Sequence, residues 1–309
     1  MKLSKYNVIH LSDDYVLIFN TLTASIVKIS LAFWQYLNSD DLNKSFSYVE
    51  KLLDMGILVK SDDDALNQYK YWYYKSAFES RTPFLYIAPT MQCNFNCFYC
   101  FEDGHKSFGK MEKTVADRLV KFLKTYGKNS VNIVWFGGEP MLGFDRILDI
   151  CNGLRAENIN YSSSMITNGS LFSEGIICKL NLLNLTFIQV SMDGVGDIHD
   201  KRRCFVGGKP TFNLIIENIE RLLTRTSFPI VIQITIDKDN STAYDDMVRF
   251  CKERFGHYVK NGRLQVGFNN VQNRTNFDIV GSCFTQEEIM CCELKRMQDG
   301  EKNRYIGSL

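Results

Sequence analysis

Apolar positions change their spacing along this chain. In the first 60 residues they come in short runs, Tyr15–Phe19 and Ile26–Ile29, split by the polar stretch Asn20-Thr-Leu-Thr-Ala-Ser25. That layout predicts a hairpin. Leu31–Leu37 and Phe46–Met55 read as short helices, the second with Phe46, Val49, Leu52 and Leu53 on one face. Gly56 stops it, and Ile57–Lys60 reads as a closing strand. Strands, two short helices and a last strand predict a small winged-helix-like α+β unit. Ser61-Asp-Asp-Asp64 reads as a turn or linker, and the Tyr- and Trp-rich residues 68–78 as a helix.

From Pro83 the pattern alternates. Phe84–Ala88, Val131–Phe136, Ser163–Thr167, Phe187–Met192, Ile230–Ile236 and Leu264–Phe268 are short apolar strand candidates. Lys113–Tyr126, Phe212–Leu223 and Ser241–Phe255 carry helical stripes between them. Strand and helix in alternation mean βαβ units on a parallel sheet. Six units are too few for an eight-stranded barrel. The expectation is α/β, an open partial (β/α)6 barrel over residues 81–275, after a small domain and linker over 1–80 and before a helical segment over 276–309. In parallel α/β folds, chemistry gathers at the C-terminal strand ends.

Composition narrows the class. The 309 residues are 45% hydrophobic and 23% charged, as in ordinary globular proteins. With 36 Lys plus Arg against 35 Asp plus Glu, the net charge is +1, which argues against a nucleic-acid or membrane-surface partner. No apolar run is long enough to span a bilayer, and the N-terminus lacks a signal-peptide core. The chain therefore reads as cytoplasmic, where thiols stay reduced. Ten cysteines in that setting point to metal or catalysis.

Three of them cluster. Cys93-Asn-Phe-Asn-Cys97-Phe-Tyr-Cys100 follows the first strand of the barrel. Three thiolates on one loop can hold three irons of a [4Fe–4S] cluster and leave the fourth iron open. Zinc is the alternative, with His105 as a fourth ligand, although the spacing is unusual for zinc.

CxxxCxxC with an aromatic residue, Tyr99, before its third Cys resembles the radical SAM superfamily. The likeness extends through Gly137-Gly138-Glu139-Pro140 after the second strand, Thr167-Asn168-Gly169 after the third, and Ser191-Met-Asp193-Gly194 after the fourth. It covers about residues 83–270. Each later motif alone is good turn chemistry; in this order they imply contacts to S-adenosylmethionine. The resemblance implies that Tyr99 packs near the adenine and that the glycines and Glu139 meet the methionyl end. His199-Asp-Lys-Arg-Arg203 resembles the HDxxR segment of peptide-modifying members, which gives Arg203 the cofactor carboxylate, with Arg202 as competitor. Leu264 falls where an adenine-packing residue sits, or is plain core.

Ser-x-Asp-Gly, His-Asp-x-x-Arg and Gly208-Lys-Pro-Thr-Phe212 are typical of peptide and protein maturases, including anaerobic sulfatase maturases. The implied chemistry is reductive cleavage of S-adenosylmethionine by a [4Fe–4S] cluster, then hydrogen abstraction from a peptide or protein. An electron donor such as flavodoxin or ferredoxin is implied. The first 60 residues resemble in layout the element that binds a leader peptide by strand addition, with a stabilising cap as the other reading. The Cys-rich SPASM domain of such relatives is expected to be absent, the chain being a natural short form or a truncated one. Cys283, Cys291 and Cys292 then read as linker or buried thiols. Two other classes stay open: a small-molecule radical enzyme of cofactor biosynthesis, and a non-catalytic peptide-binding subunit. His199 and Asp200 read as acid–base groups or as shaping the turn that orients Arg203, and no substrate base is assigned.

Overall fold

The computed structural model describes residues 1–39, 47–79, 82–100, 102, 109–126, 130–271, 283–285 and 288. The chain forms two compact units, Met1–Arg81 and Thr82–Leu309. Cys291, Cys292 and most of the expected C-terminal helix lie outside the described residues. Among the described residues, no helix is long and apolar enough to cross a membrane.

The first unit contains β1 (Lys2–Leu3), β2 (Asn7–Leu11), β3 (Tyr15–Asn20), β4 (Ser25–Ser30), α1 (Leu31–Leu37), α2 (Ser47–Asp54), β5 (Leu58–Val59) and α3 (Asp62–Glu79). β3 is the middle strand of an antiparallel meander, and β1 pairs antiparallel with β5. Val16, Ile18, Leu37, Val49, Leu52, Ile57 and Leu58 form its core. Buried Asn20 organises the turn. Its Nδ2 donates to Asn7 Oδ1 and to Gly56 O, both at 2.8 Å, while its Oδ1 accepts from the Leu22 and Thr23 amides at 3.0 Å. The acidic run is not a linker. It is the first turn of α3, where Ser61 Oγ accepts from Asp64 N at 3.1 Å.

The second unit is a parallel sheet of six strands in chain order: β6 (Phe84–Ile87), β7 (Ser130–Trp135), β8 (Asn160–Thr167), β9 (Leu185–Met192), β10 (Ile230–Ile236) and β11 (Leu264–Asn270). Chain-order stacking with a helix in each crossover gives the expected partial barrel. α4 (Lys113–Tyr126), α5 (Phe144–Ala156), α6 (Glu174–Ile177), α7 (Asp197–Arg202), α8 (Phe212–Arg225) and α9 (Ala243–Lys260) occupy the crossovers. α5 was not anticipated, though Ile147, Ile150, Cys151 and Leu154 make a helical stripe, and all four are buried.

The two faces of the sheet differ. One carries Ile133, Trp135, Met165, Ile188, Val190, Met192 and the isoleucines of β10, all in the main core with the buried residues of α8: Ile215, Ile216, Ile219, Leu222 and Leu223. Each such side chain contributes about 1.5–3 kcal/mol by leaving water. Cross-strand register puts the alternate residues on the other face: Tyr86, Asn132, Ser162, Ser164, Gln189, Ser191, Gln233, Thr235, Gln265 and Asn269.

Candidate active site

The cysteine loop leaves β6 and is tied down on several sides. The Met111 amide donates to Pro89 O at 2.8 Å, Asn96 N to Cys204 O at 2.9 Å, and Val206 N to Asn94 O at 3.0 Å. Phe95 anchors it, 1% exposed and edge-on to Phe205 at 5.1 Å. Cys93, Cys97 and Cys100 are in no disulfide, each half-buried. Burial pushes the Cys93 thiol up to about 11. Its bond from the Phe95 amide opposes that rise, and Glu139, Cys97 and Cys100 add to it. Bound iron would supply the charge that ionises the thiols. Among the described residues, no three His, Cys, Asp or Glu side chains converge around a single ion. His105 lies outside those residues.

The Gly-Gly-Glu-Pro turn follows β7 and braces this loop. Gly137 has φ +113°, and a Cβ there would lie 2.4 Å from Thr90 O. At Gly138 it would lie 2.3 Å from Met91 O and 2.4 Å from Gln92 O. The glycines therefore admit the backbone of the cysteine loop itself. Pro140 opens a short 3₁₀ turn. Buried Glu139 caps it and accepts from Met141 N at 3.0 Å, Thr167 Oγ1 at 2.7 Å and Asn168 N at 2.7 Å. Burial raises its pKa, and those same bonds with the Arg203 charge oppose the rise. Glu139 is thus first a staple between two strand ends. Asn168 in turn donates to Asn94 Oδ1 at 2.8 Å and lies 4.0 Å from Cys93 Sγ.

Opposite the loop, the end of β9 presents Asp193, fully buried. Its Oδ2 accepts from Tyr99 Oη at 2.5 Å and from Arg202 Nε at 3.1 Å. Arg202 also donates from both terminal nitrogens to Asp237, at 3.3 and 2.7 Å. All three of its nitrogens are engaged, and its guanidinium lies over Phe98 at 5.0 Å. Arg203 differs. One terminal nitrogen donates to Tyr99 Oη at 2.6 Å and lies 3.7 Å from Asp193 Oδ1. Among the described residues, buried Arg203 Nε and Asp193 Oδ1 have no hydrogen-bond partner. Burial pushes the Asp193 carboxyl up, against Arg203, Tyr99 and Arg202.

His199 is buried and its pKa is lowered to about 3, by burial first and by Arg203 second, so it is neutral. Thr211 gives its hydroxyl proton to Arg203 O at 2.5 Å, so it accepts from His199 Nε2 at 3.0 Å. Nδ1 is then the acceptor for the Asp193 amide at 3.3 Å. Asp200 accepts from Thr211 N and Phe212 N at 2.7 and 2.8 Å and caps α8. His199 and Asp200 position the arginine turn.

Leu264 is a correction. It opens β11 opposite Ile230, whereas the site surrounds the far strand ends, where Asn270 pairs with Ile236. Leu264 is core, 1% exposed. Asp237 and Asn240, which donates to Asp193 O at 2.8 Å, went unnoticed. The strand-end rule applied to β10 points at both.

The loop, the brace and the buried Asp–Arg pair sit at successive strand ends in the order of the sequence motifs. The sequence profile of the Radical SAM superfamily matches residues 87–251. The chain belongs to the radical SAM superfamily. A [4Fe–4S] cluster is characteristic of that family, with S-adenosylmethionine bound in its solved structures. A cysteine-type anaerobic sulfatase-maturating enzyme of Clostridium novyi is 31% identical over 172 residues, 52% of this chain and 46% of that one. The sporulation killing factor maturation protein SkfB of Bacillus subtilis is 26% identical, with 60% and 46% covered. A probable GTP 3',8-cyclase of Methanococcus aeolicus is 29% identical, with 55% of each covered. The chain spans about half the length of these relatives. Among solved structures, native anSMEcpe with bound AdoMet and Cp18Cys peptide aligns at a TM-score of 0.56, 20% identity and 71% and 62% coverage. Streptococcus suis SuiB bound to precursor peptide SuiA aligns at 0.52, 16% identity and 97% and 70% coverage. These two likenesses carry the radical SAM fold.

The donor set fits the family's cofactors. Three thiols can hold the cluster. An unpartnered buried guanidinium N–H beside an unpartnered carboxylate oxygen complements a zwitterionic amino-acid group.

Proposed function

We propose that this chain cleaves S-adenosylmethionine reductively and abstracts hydrogen from a peptide or protein substrate as a maturase. The observation that carries the reading is the three-thiol loop tied directly to a buried Asp193–Arg203 pair with one free donor and one free acceptor. When bound, the cluster and S-adenosylmethionine supply an electron and a hydrogen-abstracting radical. Cys93, Cys97 and Cys100 hold the cluster. Arg203 takes the carboxylate of the amino-acid end and Asp193 its ammonium, with Tyr99 linking the two. Asn168 polarises the Cys93 sulfur, and the glycine turn and Glu139 keep the loop in place. The electron comes from a flavodoxin- or ferredoxin-like donor.

The first unit fits peptide recognition. The outer strands of its meander, β2 and β4, each leave one edge to which an extended leader segment can add. The maturase relatives and the peptide-bound solved structures support a peptide substrate. A nucleotide triphosphate, as the cyclase relative's name implies for that enzyme, would ask for cations near the substrate. The strand residues on the open sheet face include none.

Anaerobic reconstitution tests the reading. The protein should bind about four irons and form 5'-deoxyadenosine when reduced with dithionite. Replacing the three cysteines by Ala should abolish both and leave the fold intact. Stoichiometric zinc without iron would overturn it.

A further inference from the structure

A closed ring of polar side chains stands beside Cys93. Asn94 Nδ2 donates to Ser170 Oγ at 2.9 Å, and Ser170 Oγ donates to Asn168 Oδ1 at 2.7 Å. Asn168 Nδ2 donates back to Asn94 Oδ1 at 2.8 Å and closes the ring. Asn168 and Ser170 are buried. The ring thus joins the residue next to Cys93 to the turn that follows β8.

The ring decides which way the Asn168 amide faces. The Ser170 backbone N–H can only donate, and it donates to Asn168 Oδ1 at 3.0 Å. The carbonyl is therefore on the Ser170 side, and the amino group on the side of Asn94 and Cys93. One of its two N–H groups goes to Asn94. The other faces Cys93 Sγ at 4.0 Å, the outer reach of an N–H···S bond. A second donor, Phe95 N, meets the same sulfur at 3.4 Å. A thiolate is a stronger acceptor than the thiol. Adding an electron to an iron–sulfur cluster places negative charge on its sulfurs, and a fixed N–H dipole in a buried site favours that charge. Glu139 acts in the opposite sense, since its buried carboxylate opposes negative charge on Cys93. Asn168 sits between the two. Its backbone N–H donates to Glu139 Oε2 at 2.7 Å, and its amide faces the sulfur.

We infer that the Asn94–Ser170–Asn168 ring tunes the bound cluster: it holds an Asn168 N–H on Cys93 and raises the reduction potential. Ser170 is then a positioning residue that acts through Asn168. The inference rests on the cluster-binding reading above and goes beyond it, because the thiols would hold iron without the ring. What the ring adds is an easier electron transfer from the donor.

The test is a redox titration of the reconstituted full-length protein, followed by the electron paramagnetic resonance of the reduced cluster. Iron content is measured on the same samples. Asn168→Asp keeps the shape and puts a carboxylate oxygen in place of the amino group. At a fixed solution potential it should lower the ratio of reduced to oxidised cluster at least tenfold, a negative shift of about 59 mV or more. Ser170→Ala keeps the donor but breaks two bonds of the ring. It should lower the same ratio severalfold at unchanged iron content. A purely structural role would reduce iron content and leave the potential of the remaining clusters where it was. Wild-type potentials in both variants overturn the inference and leave the proposed function standing. If Asn168→Asp holds no iron, Ser170→Ala decides alone. A wild-type protein that takes up no cluster overturns both.

Discussion

The rim of the barrel and the open face of its sheet are built on opposite plans from the same strands. The rim concentrates ionised groups and bonds nearly all of them to one another. Arg202 uses its donors on Asp193 and Asp237, Glu139 takes three donors, and His199 is wired through Thr211. The strand residues of the face carry no charge, and among the described residues Gln189, Ser191 and Gln233 make no side-chain hydrogen bond. The rim is a preorganised fixture in which the few free atoms, Arg203 Nε and Asp193 Oδ1, mark the cofactor position.

The largest way to break this contrast is Asp193→Ala. It strands Arg203 with an uncompensated buried charge, while Arg202 keeps Asp237, and should cost roughly 3–5 kcal/mol in urea unfolding. A loss below about 1 kcal/mol would mean the rim is not the interlocked unit described.

Gly138→Val comes next. A cofactor-only role for this glycine would let iron binding survive the substitution. The carbonyls of Met91 and Gln92 instead stand where its Cβ would be, so the cysteine loop must move. Iron content and S-adenosylmethionine affinity should fall together. Iron at the wild-type level with affinity lost would return the glycine to the cofactor.

The two adjacent arginines divide the rim further. Arg203→Gln should weaken S-adenosylmethionine binding roughly ten- to hundredfold, the range of one charge-assisted hydrogen bond, and largely spare stability. Arg202→Gln should do the reverse. Equal effects on binding from both would leave the carboxylate contact unassigned.

These cases show what was readable in sequence. Cys93, Cys97 and Cys100 sit three and four residues apart, so their convergence is local. The strands of the barrel announce themselves by apolar runs between helical stripes. The HDxxR likeness already put Arg203 ahead of Arg202, but the reason Arg202 is occupied, Asp237, is 35 residues away and reached only through the fold. Leu264 was misjudged because spacing cannot say which end of a strand faces the site. The neutral face was hidden because its residues, one or two apart in six separate strands, meet only through cross-strand register. β2 was missed because polar Asn7 and His10 interrupt its apolar residues, and it pairs on only one side.

His199 yields a smaller, pH-dependent effect. Its folded pKa of about 3 lies below the unfolded value near 6.5, so the unfolded chain takes up the proton first as pH falls. Stability from this group is full above about pH 6.5 and is lost as pH drops toward 3. Between pH 7 and pH 5 the loss should be about 2 kcal/mol. His199→Asn should flatten that part of the profile relative to wild type. An unchanged slope would mean that His199 titrates freely and does not wire the rim.

Gly267→Ala has the smallest effect and tests the face alone. The new Cβ would sit 3.0 Å from Gln233 Oε1, closer than ordinary contact, but that atom is the tip of a flexible side chain. A rotation of a few tenths of an ångström relieves the overlap. An added methyl also lowers the conformational entropy of the unfolded chain, worth about 0.4–1 kcal/mol where the backbone tolerates it, and Gly267 has no left-handed φ. Stability should therefore hold or rise slightly. A loss of stability above about 2 kcal/mol would show that Gln233 is locked in place by its surroundings. The face would then be packed like the rim, and the contrast between the two regions would fail at its centre.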